Sequence, residues 1–380
     1  SFCNSSSNVG NFFFIKISYF KAYKALHKAL ERVFGDWETS YAELPQYLAT
    51  IKKHNPGTVF KVDVERITND KVLFKSAFWA FGASIEGFAH CRPLICIDGT
   101  HLYGKYQGTL LVATGVDAND GIFPLAYVIV DSESKDSWDW FLRCMYYYIH
   151  SVRNRCLTFI SDRMKGIPRA LDNWPEEHHH RFCARHLKAN FQVAGFTQKN
   201  LVDLFYSCAS ATDDFQYKEL RGHLKTIAPD AHAWIEKSLR GVEENWALCK
   251  DNGGRFMMMT TNVSESFNGV LRGARALPVK SLVARTFYRL NDYFMKRRSD
   301  AEGFETQMSP KVETLLAKRA KQARYYGIVR FNQTEWQVND QFGRAFTVTL
   351  HDNICSCTCN IPLLQKLPCL HVMAGCAQTI

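Results

Sequence analysis

The sequence predicts an α/β fold with a mixed sheet at its centre. Three short β-rich runs lie between Leu94 and Asp131 and are separated by turn residues. An amphipathic helical pattern follows over residues 137–152, and a further β-rich run leads to Asp162. The expected order of elements is therefore β-β-β-α-β.

Each of these elements has its own signature. The strands are predicted at residues 94–98, 109–117, 123–131 and 157–161, where strand-forming residues dominate. The apolar side chains of the helix recur at helical spacing on one side: Trp138, Phe141, Leu142 and Met145. This order of strands and helix is the beginning of an RNase H-like fold.

The flanking segments predict further units. Residues 17–54 carry two helical patterns, residues 58–64 and 71–75 alternate like a hairpin, and residues 77–88 look helical. Residues 166–246 are expected to be almost wholly helical, which is too long for a crossover and indicates an inserted subdomain. Helices are also expected from about residue 261, at 279–298 and at 310–324, with a small sheet at 327–350.

These patterns predict five units along the chain. They are a disordered leader at 1–16, a helical and hairpin region at 17–90, an RNase H-like domain at 91–300 with a helical insertion at about 166–255, a helical and β connector at 301–345, and a cysteine-rich unit at 346–380.

The composition favours a folded protein with a polyanionic partner. Lys and Arg number 47 against 37 Asp and Glu, which gives a formal charge of +10. Such a balance favours nucleic acid, although ordinary soluble enzymes can share it. The 13 cysteines are mostly scattered singly, and no segment matches a secretory signal or the run of about 20 apolar residues that spans a bilayer. We expect a soluble protein of a reducing compartment, with no membrane partner.

Two aspartates follow predicted strands. Asp98 is expected to close the first strand, with Gly99 opening a turn, and Asp162 to close the fourth. Carboxylates at one edge of a sheet attract hard divalent cations, and two metals about 3.5 to 4 Å apart can cleave a phosphodiester. Glu265 is the best third acid. The structural alternatives are that Asp before Gly is a turn residue and that Asn262 and Glu265 form a capping pair.

The C-terminal cysteines form the sharpest local pattern. A Cys-Thr-Cys segment ends at Cys359 and is followed, after nine intervening residues, by Cys-Leu-His. Three thiolates and one imidazole complete a tetrahedral zinc site, and four protein ligands leave no open position for chemistry. Cys355 is an alternative ligand upstream. The expected ligands of this structural zinc are Cys357, Cys359, Cys369 and His371.

Four segments resemble plant Mutator-like element (MULE) transposases. They are residues 91–102, which contain Cys-Arg-Pro-Leu-Ile-Cys-Ile-Asp-Gly-Thr-His-Leu, and residues 131–141, 160–163 and 261–268. The C-terminal pattern, including Pro368 before the third ligand, is similar to a SWIM zinc finger, which would occupy residues 346–380. The resemblance implies an RNase H-like core, DNA as partner, a homo-oligomer and a nuclear location.

The resemblance also implies roles for particular residues. The Asp-Asp-Glu catalytic set of the family falls on Asp98, Asp162 and Glu265, which would bind two Mg²⁺ or Mn²⁺ ions. Less favoured substitutes for the glutamate are Glu176, Glu177 and Glu219.

Cys183 and His186 match a Cys-Xaa-Xaa-His element of the same family. Two ligands make half of a tetrahedral zinc site, so a metal role would require partners, for which the nearby residues 178–180, all histidine, are candidates. A packing or hydrogen-bonding role is favoured over a metal role.

Three functions agree with these features. A transposase would cleave DNA at element ends and join the freed 3′ hydroxyl to target DNA. A domesticated regulator, similar to the far-red-impaired-response proteins, would bind DNA without cutting it. A structural zinc protein would show no salt-dependent affinity for DNA. The sequence favours the transposase, and recognition of terminal repeats is expected to depend on segments outside this sequence.

Overall fold

The computed structural model describes residues 17–68, 72–163, 166–172, 174, 178–352 and 354–377. The expected leader at 1–16 and the candidate acids Glu176 and Glu177 lie outside these residues. In the described part the chain forms a mixed α/β fold with a seven-stranded and a four-stranded sheet.

Two helices open the described chain, as predicted. They are α1, Tyr19–Phe34, and α2, Trp37–His54. The side chains of Ser18 and Asp36 accept hydrogen bonds from backbone N–H groups in the first turn of each helix, which satisfies donors that have no partner within the helix. The buried face of α2 packs on the large sheet through Leu44, Leu48 and Ile51.

A hairpin and a short helix follow. Their bounds are β1, Val59–Arg66, β2, Val72–Ala80, and α3, Gly82–Phe88. The prediction of a helix from residue 77 is wrong in its first part, because residues 77–79 of β2 pair with residues 127–129 of a later strand. A continuous run of buried apolar residues has no period that separates a strand from a buried helix.

The centre of the large sheet is the predicted β-β-β-α-β unit. Three antiparallel neighbours come first: β3, Leu94–His101, β4, Thr109–Val116, and β5, Ile122–Val130. The helices α4, Lys135–Tyr148, and α5, His150–Arg153, lead to β6, Thr158–Ser161, which is parallel to β3. The buried face of α4 packs in the main core through Trp138, Phe141, Leu142 and Met145.

A further core strand was missed by the sequence patterns. The helix α6, Gly166–Leu171, leads to β7, His179–Phe182, which pairs in parallel with β6. The expectation that residues 166–246 are almost wholly helical is wrong at this strand, because four residues that begin with two histidines are too short and too polar to show a strand period. The order in the sheet is β1-β2-β5-β4-β3-β6-β7.

The rest of that stretch is helical. The helices are α7, Ala184–Val193, α8, Lys199–Ser210, α9, Asp214–Ile227, α10, Pro229–Leu239, and α11, Glu243–Trp246, with a 3₁₀ turn at Leu248–Lys250. They pack in one hydrophobic cluster with Phe182 of β7, and in it the rings of Phe205 and Trp246 stack with centroids 5.9 Å apart.

The chain then returns to the large sheet. The elements are α12, Asn262–Val270, a 3₁₀ turn at Ala274–Ala276, α13, Val279–Glu302, and α14, Pro310–Ala323. Phe267 and Leu282 pack with Trp79 and Tyr127, on the sheet face opposite α4. Helices therefore cover both faces of the sheet, which explains why its strands are nearly continuous apolar runs.

The C-terminal unit contains the predicted small sheet. Its strands are β8, Gly327–Arg330, β9, Glu335–Asn339, β10, Ala345–His351, and β11, Ile354–Cys357, in the order β11-β10-β9-β8. Two short helices follow, α15, Ile361–Gln365, and α16, Leu370–Cys376. Trp336, Val338 and Val348 are fully buried between the sheet and α16.

No helix within the described ranges is both long and apolar enough to cross a membrane.

A buried ion-pair network joins the insertion to the large sheet. Asp251 is 1% exposed and pairs with Arg181 of β7 and with Arg255, which is fully buried. The Arg255 guanidinium also donates to the backbone carbonyls of Glu244 and Asn245 at 3.2 and 3.1 Å. One carboxylate thus neutralises two buried guanidinium groups that belong to different parts of the chain.

We expect Asp251→Ala to lower the free energy of unfolding by about 3 to 5 kcal/mol, because both guanidinium groups would stay buried without their counter-charge. Denaturant unfolding followed by tryptophan fluorescence measures this loss. The matched control is Asp214→Ala, which removes a carboxylate paired at the surface with Lys218 and Lys250 and should cost less than about 1 kcal/mol. Equal losses in the two variants would contradict this account of the network.

Candidate functional site

Asp98 lies inside β3 and does not close it. Gly99, Thr100 and His101 continue the pairing with β4, so the expected turn at Gly99 is wrong. The strand continues because three further residues find backbone partners in β4, which a strand-end motif does not reveal. Position 99 favours glycine because of close packing and not because of a turn. A Cβ there would lie 2.9 Å from Oε2 of Glu133.

Asp162 follows β6 directly and is half-buried. The parallel register of β3 and β6 pairs Leu94 with Thr158 and Cys96 with Ile160. Extending this register by two residues places Asp162 beside Asp98. The structure therefore brings the two predicted aspartates to the same edge of the sheet, at the point where β6 ends and β3 continues.

Burial and neighbouring charges perturb Asp98. Burial raises the pKa of its carboxyl to about 6; the His186 charge and a hydrogen bond from Asn268 oppose this rise, while Glu133 and Asp162 add to it. The Asn268 amide donates to Asp98 Oδ2 at 2.8 Å. Asp98 thus lies among other carboxylates in a partly desolvated position.

Glu133 is an acidic neighbour that the sequence reasoning did not single out. It lies between β5 and α4, and the indole Nε1 of Trp138 donates to its Oε1 at 3.1 Å. Burial raises the pKa of Glu133, and the Asp162 charge raises it further against the hydrogen bond from Trp138. We call Asp98, Glu133 and Asp162 the acidic rim. The sequence signal for Glu133 was no more than an acid just before a helix, inside the segment 131–141.

Glu265 lies on α12, which is fixed to the sheet because the Ser264 hydroxyl donates to the Cys96 carbonyl at 3.0 Å. Its carboxylate forms an ion pair with Arg185 and accepts a hydrogen bond from Thr261 Oγ1 at 3.5 Å. The alternative reading of Asn262 and Glu265 as a capping pair is wrong, since the helix begins at Asn262 and Thr261 precedes it without a side-chain cap.

Cys183 and His186 lie at the start of α7, next to Glu265. The ligand atoms of these three residues lie within 4.8 Å of one another. Both the backbone N–H and the hydroxyl of Thr261 donate to Cys183 Sγ, at 3.3 and 3.4 Å. Burial opposes ionisation of the thiol, but hydrogen bonds from His186 and Thr261 prevail and lower the Cys183 pKa to about 7. The same contact with Cys183 raises the pKa of His186.

The histidines suggested as partners for Cys183 and His186 make contacts elsewhere. His178 Nδ1 accepts from the Leu157 backbone at 3.3 Å, and His180 Nε2 lies 2.7 Å from the Ser161 hydroxyl. His179 Nε2 lies 3.7 Å from the Cys156 thiol. The side chain that lies within 4.8 Å of the ligand atoms of Cys183 and His186 is Glu265 instead. The alternative acid Glu219 is exposed on α9 in the insertion.

The C-terminal cysteine pattern forms a compact Cys₃His group. The ligand atoms of its members lie within 4.8 Å of one another: Cys357, Cys359, Cys369 and His371. Two of the thiol sulfurs lie 3.5 and 3.8 Å from the imidazole Nδ1. A tetrahedral zinc ion separates sulfur and nitrogen ligands by about 3.6 Å, given its bond lengths. The donor set and its spacing therefore fit zinc.

The surroundings of this group suit a closed metal site. The Phe346 ring stacks on His371 with centroids 4.0 Å apart. The Arg319 guanidinium donates to the Pro368 carbonyl at 2.7 Å. Burial lowers the pKa of Arg319, and the charges of Cys369 and Cys359 oppose that fall. The alternative ligand Cys355 is outside the group.

Two comparisons with known proteins show what part of this chain is similar to. A family model described as the MULE transposase domain matches residues 94–190. Protein FAR1-RELATED SEQUENCE 6 of Arabidopsis thaliana is 24% identical over 146 residues. These matches support the resemblance of this chain to a plant MULE/FAR1-like family.

The matched segments cover part of each protein. The similarity to the Arabidopsis relative spans 38% of this chain and 20% of that protein, so the chain matches about a fifth of its relative's length. The MULE transposase domain match runs from β3 into α7. It therefore contains the acidic rim and the Cys183–His186 pair, whereas Glu265 lies beyond it.

We expect Asp98→Asn to stabilise the protein at pH 7 in the absence of added Mg²⁺ or Mn²⁺. The Asp98 pKa rises from 3.8 to about 6 in the folded state, so stability falls as the pH rises from about 4 to about 6 and stays lower above that range. Removing the buried charge should add about 1 to 3 kcal/mol at pH 7 and almost nothing below pH 4.

Thermal unfolding at several pH values measures this difference. Asp136→Asn, at an exposed position in the first turn of α4, provides the control and should lower the melting temperature slightly at pH 7, because it removes a charge that favours the helix N-terminus. A stabilisation by Asp98→Asn that persists undiminished at low pH would show that the buried charge is not its cause.

Proposed function

We propose that this chain is a Mutator-like DNA transposase that cleaves and joins DNA by two-metal phosphodiester chemistry. The observation that carries the proposal is the position of Asp98 and Asp162 at one edge of adjacent parallel strands. Glu265 is the third acid that the family resemblance implies. It lies on the helix whose Asn268 hydrogen-bonds to Asp98.

The topology of the sheet supports an RNase H-like core. Three antiparallel strands, β3 to β5, are followed by a helical crossover and by two strands, β6 and β7, that run parallel to the first. The hairpin β1–β2 extends this sheet beyond β5. The helical insertion then separates β7 from α12, which returns to the same sheet.

The proposed ligands of the divalent cations are the carboxylates of the acidic rim. Its side chains offer carboxylate oxygens, the donors that Mg²⁺ and Mn²⁺ prefer. Bound metal ions would activate the attacking oxygen and stabilise the leaving oxygen of a phosphodiester. The protein's own contribution is to hold Asp98 on a rigid strand and to orient its carboxylate through Asn268.

Exposed arginines beside the acids favour binding of the phosphate backbone of DNA. Arg163 follows Asp162 and is exposed, and the Arg185 side chain is 61% exposed next to Glu265. Guanidinium groups bind phosphates bidentately. The formal charge of +10 agrees with a polyanionic partner. The proposal also includes that the protein is nuclear and forms a homo-oligomer.

The Cys₃His group belongs to a structural SWIM-type zinc finger in this proposal. Four protein ligands close the coordination shell, so this zinc would stabilise the small sheet and α16 and would take no part in DNA cleavage.

We expect Cys369→Ser and His371→Ala each to remove one zinc ion per chain, because three ligands do not hold a closed site. Elemental analysis of the dialysed full chain measures the zinc content. Cys355→Ser is the matched control, since Cys355 lies on the same strand as Cys357 but outside the ligand group. Zinc loss in the control, or zinc retention in both ligand variants, would contradict the assignment.

We expect the purified chain to nick supercoiled plasmid DNA in the presence of Mn²⁺. Asp98→Asn and Asp162→Asn should each lower the nicking rate by at least roughly a hundredfold, more than the loss typical of residues outside the ligand shell. Gel analysis of the nicked product measures the rate. Asp136→Asn should retain full activity, and each variant should remain folded with a cooperative melting transition.

DNA binding measured as a function of salt separates the remaining outcomes. A transposase binds DNA in a salt-dependent way and nicks it. Salt-dependent binding without nicking, in the wild type as in the variants, would replace the proposal by a DNA-binding regulator. Absence of salt-dependent binding would leave only the structural zinc protein.

A further inference from the structure

We propose that Cys183, His186 and Glu265 bind a zinc ion at a site separate from the Cys₃His group. The sequence pattern alone favoured a packing or hydrogen-bonding role for Cys183 and His186, because two ligands make only half of a tetrahedral site. The fold supplies a third ligand from α12, far along the chain. A zinc ion at this site would act on the fold, so the proposal does not depend on DNA cleavage.

The three side chains converge where α7 begins. Their ligand atoms lie within 4.8 Å of one another. A tetrahedral zinc ion holds sulfur, nitrogen and oxygen ligands about 3.4 to 3.6 Å apart, given its bond lengths, so small side-chain movements suffice to close the group on the ion. Among the described residues, this group and the Cys₃His group are the two sets of three or more potential ligands that lie this close together.

The donor set favours zinc over the divalent cations of the acidic rim. Thiolate and imidazole suit Zn²⁺, whereas Mg²⁺ and Mn²⁺ prefer oxygen ligands. His186 Nδ1 is buried and has no hydrogen-bond partner in the described part of the chain. A buried polar atom without a partner costs free energy. A metal ion bound at this nitrogen would remove that cost, which a packing role leaves in place.

The hydrogen bonds around the group suit metal ligands. The backbone N–H and the hydroxyl of Thr261 both donate to Cys183 Sγ, at 3.3 and 3.4 Å. Outer hydrogen bonds of this kind orient the ligands of a metal ion. The Arg185 guanidinium pairs with Oε2 of Glu265. This pairing leaves Oε1, which has a long 3.5 Å contact with the Thr261 hydroxyl, to bind the metal.

A zinc ion at this position would join the two ends of the helical insertion. Cys183 and His186 lie at the start of α7, the first helix after β7, and Glu265 lies on α12, which follows the insertion. The Ala184 N–H already donates to the Met259 carbonyl at 2.7 Å across this junction. Asn268 of the same α12 donates to Asp98. The zinc ion would therefore also fix the helix whose amide orients Asp98.

The first test is the zinc content of the full chain, measured by elemental analysis after dialysis against buffer without chelator. The wild type should hold about two zinc ions per chain, one in each ligand group. Cys369→Ser, which loses the ion of the Cys₃His group, should keep the other. Adding His186→Ala to Cys369→Ser should remove the remaining ion. This comparison leaves the buried Cys183 thiol unchanged.

The second test replaces the thiol itself. In Cys183→Ser the hydroxyl can still accept from Thr261 but is a poor zinc ligand, so the zinc content should fall by one ion per chain while melting stays cooperative. Cys156→Ser is the matched control. The Cys156 thiol also lies beside an imidazole, 3.7 Å from His179 Nε2, but it belongs to neither ligand group. The control should keep the zinc content of the wild type.

The outcomes separate this inference from the proposed function. A single zinc ion in the wild type that disappears in Cys369→Ser overturns the inference, and so does a zinc content that His186→Ala and Cys183→Ser both leave unchanged. Loss of one ion in these two variants, with none lost in Cys156→Ser, supports it. Zinc content is measured without DNA, so a chain that fails to nick DNA can still hold this zinc ion.

Discussion

The parallel pairing of β3 with β6 is the constraint on which the candidate site depends. These strands are far apart in the sequence, and only their register brings Asp98 and Asp162 to one edge. A slip of two residues would move one carboxylate by about 6.6 Å along the strand, which would separate the two acids. The register is held by burial, because Ile95 and Phe159 lie in the main core beneath α4. The packing of the sheet therefore determines the geometry of the acids.

Burial on both faces also explains which parts of the fold were predictable. The central strands form apolar runs bounded by turn residues, so their number and order follow from the sequence. The same property caused the error at residues 77–80, where a buried run has no period to distinguish strand from helix. β7 was missed for the opposite reason, because it is short and polar, and its position depends on pairing with β6.

Some residues of the candidate site could be predicted from local sequence patterns, whereas others are placed there only by tertiary packing. The Cys₃His group was predictable because its ligands lie close together in the sequence and their spacing is distinctive. Asp98 and Asp162 were found as acids near strand ends, although β3 runs on past Asp98. Glu133 and Asn268 reach the acids only through the packing of α4 and α12 on the sheet. No spacing rule along the chain could have assigned them.

Two of the candidate metal sites, the Cys₃His group and the acidic rim, differ in the chemistry of their ligands and in their exposure to solvent. This difference would determine which metal ion each site binds. The Cys₃His group offers soft thiolates in a nearly buried shell, which favours zinc and leaves no room for bound water. The acidic rim offers hard oxygens at a half-buried edge, where an ion such as Mg²⁺ can keep several waters and still reach a phosphate. Since thiolates are poor ligands for Mg²⁺ and Mn²⁺, the Cys₃His group can keep a structural zinc while the same chain presents its acids to a second metal.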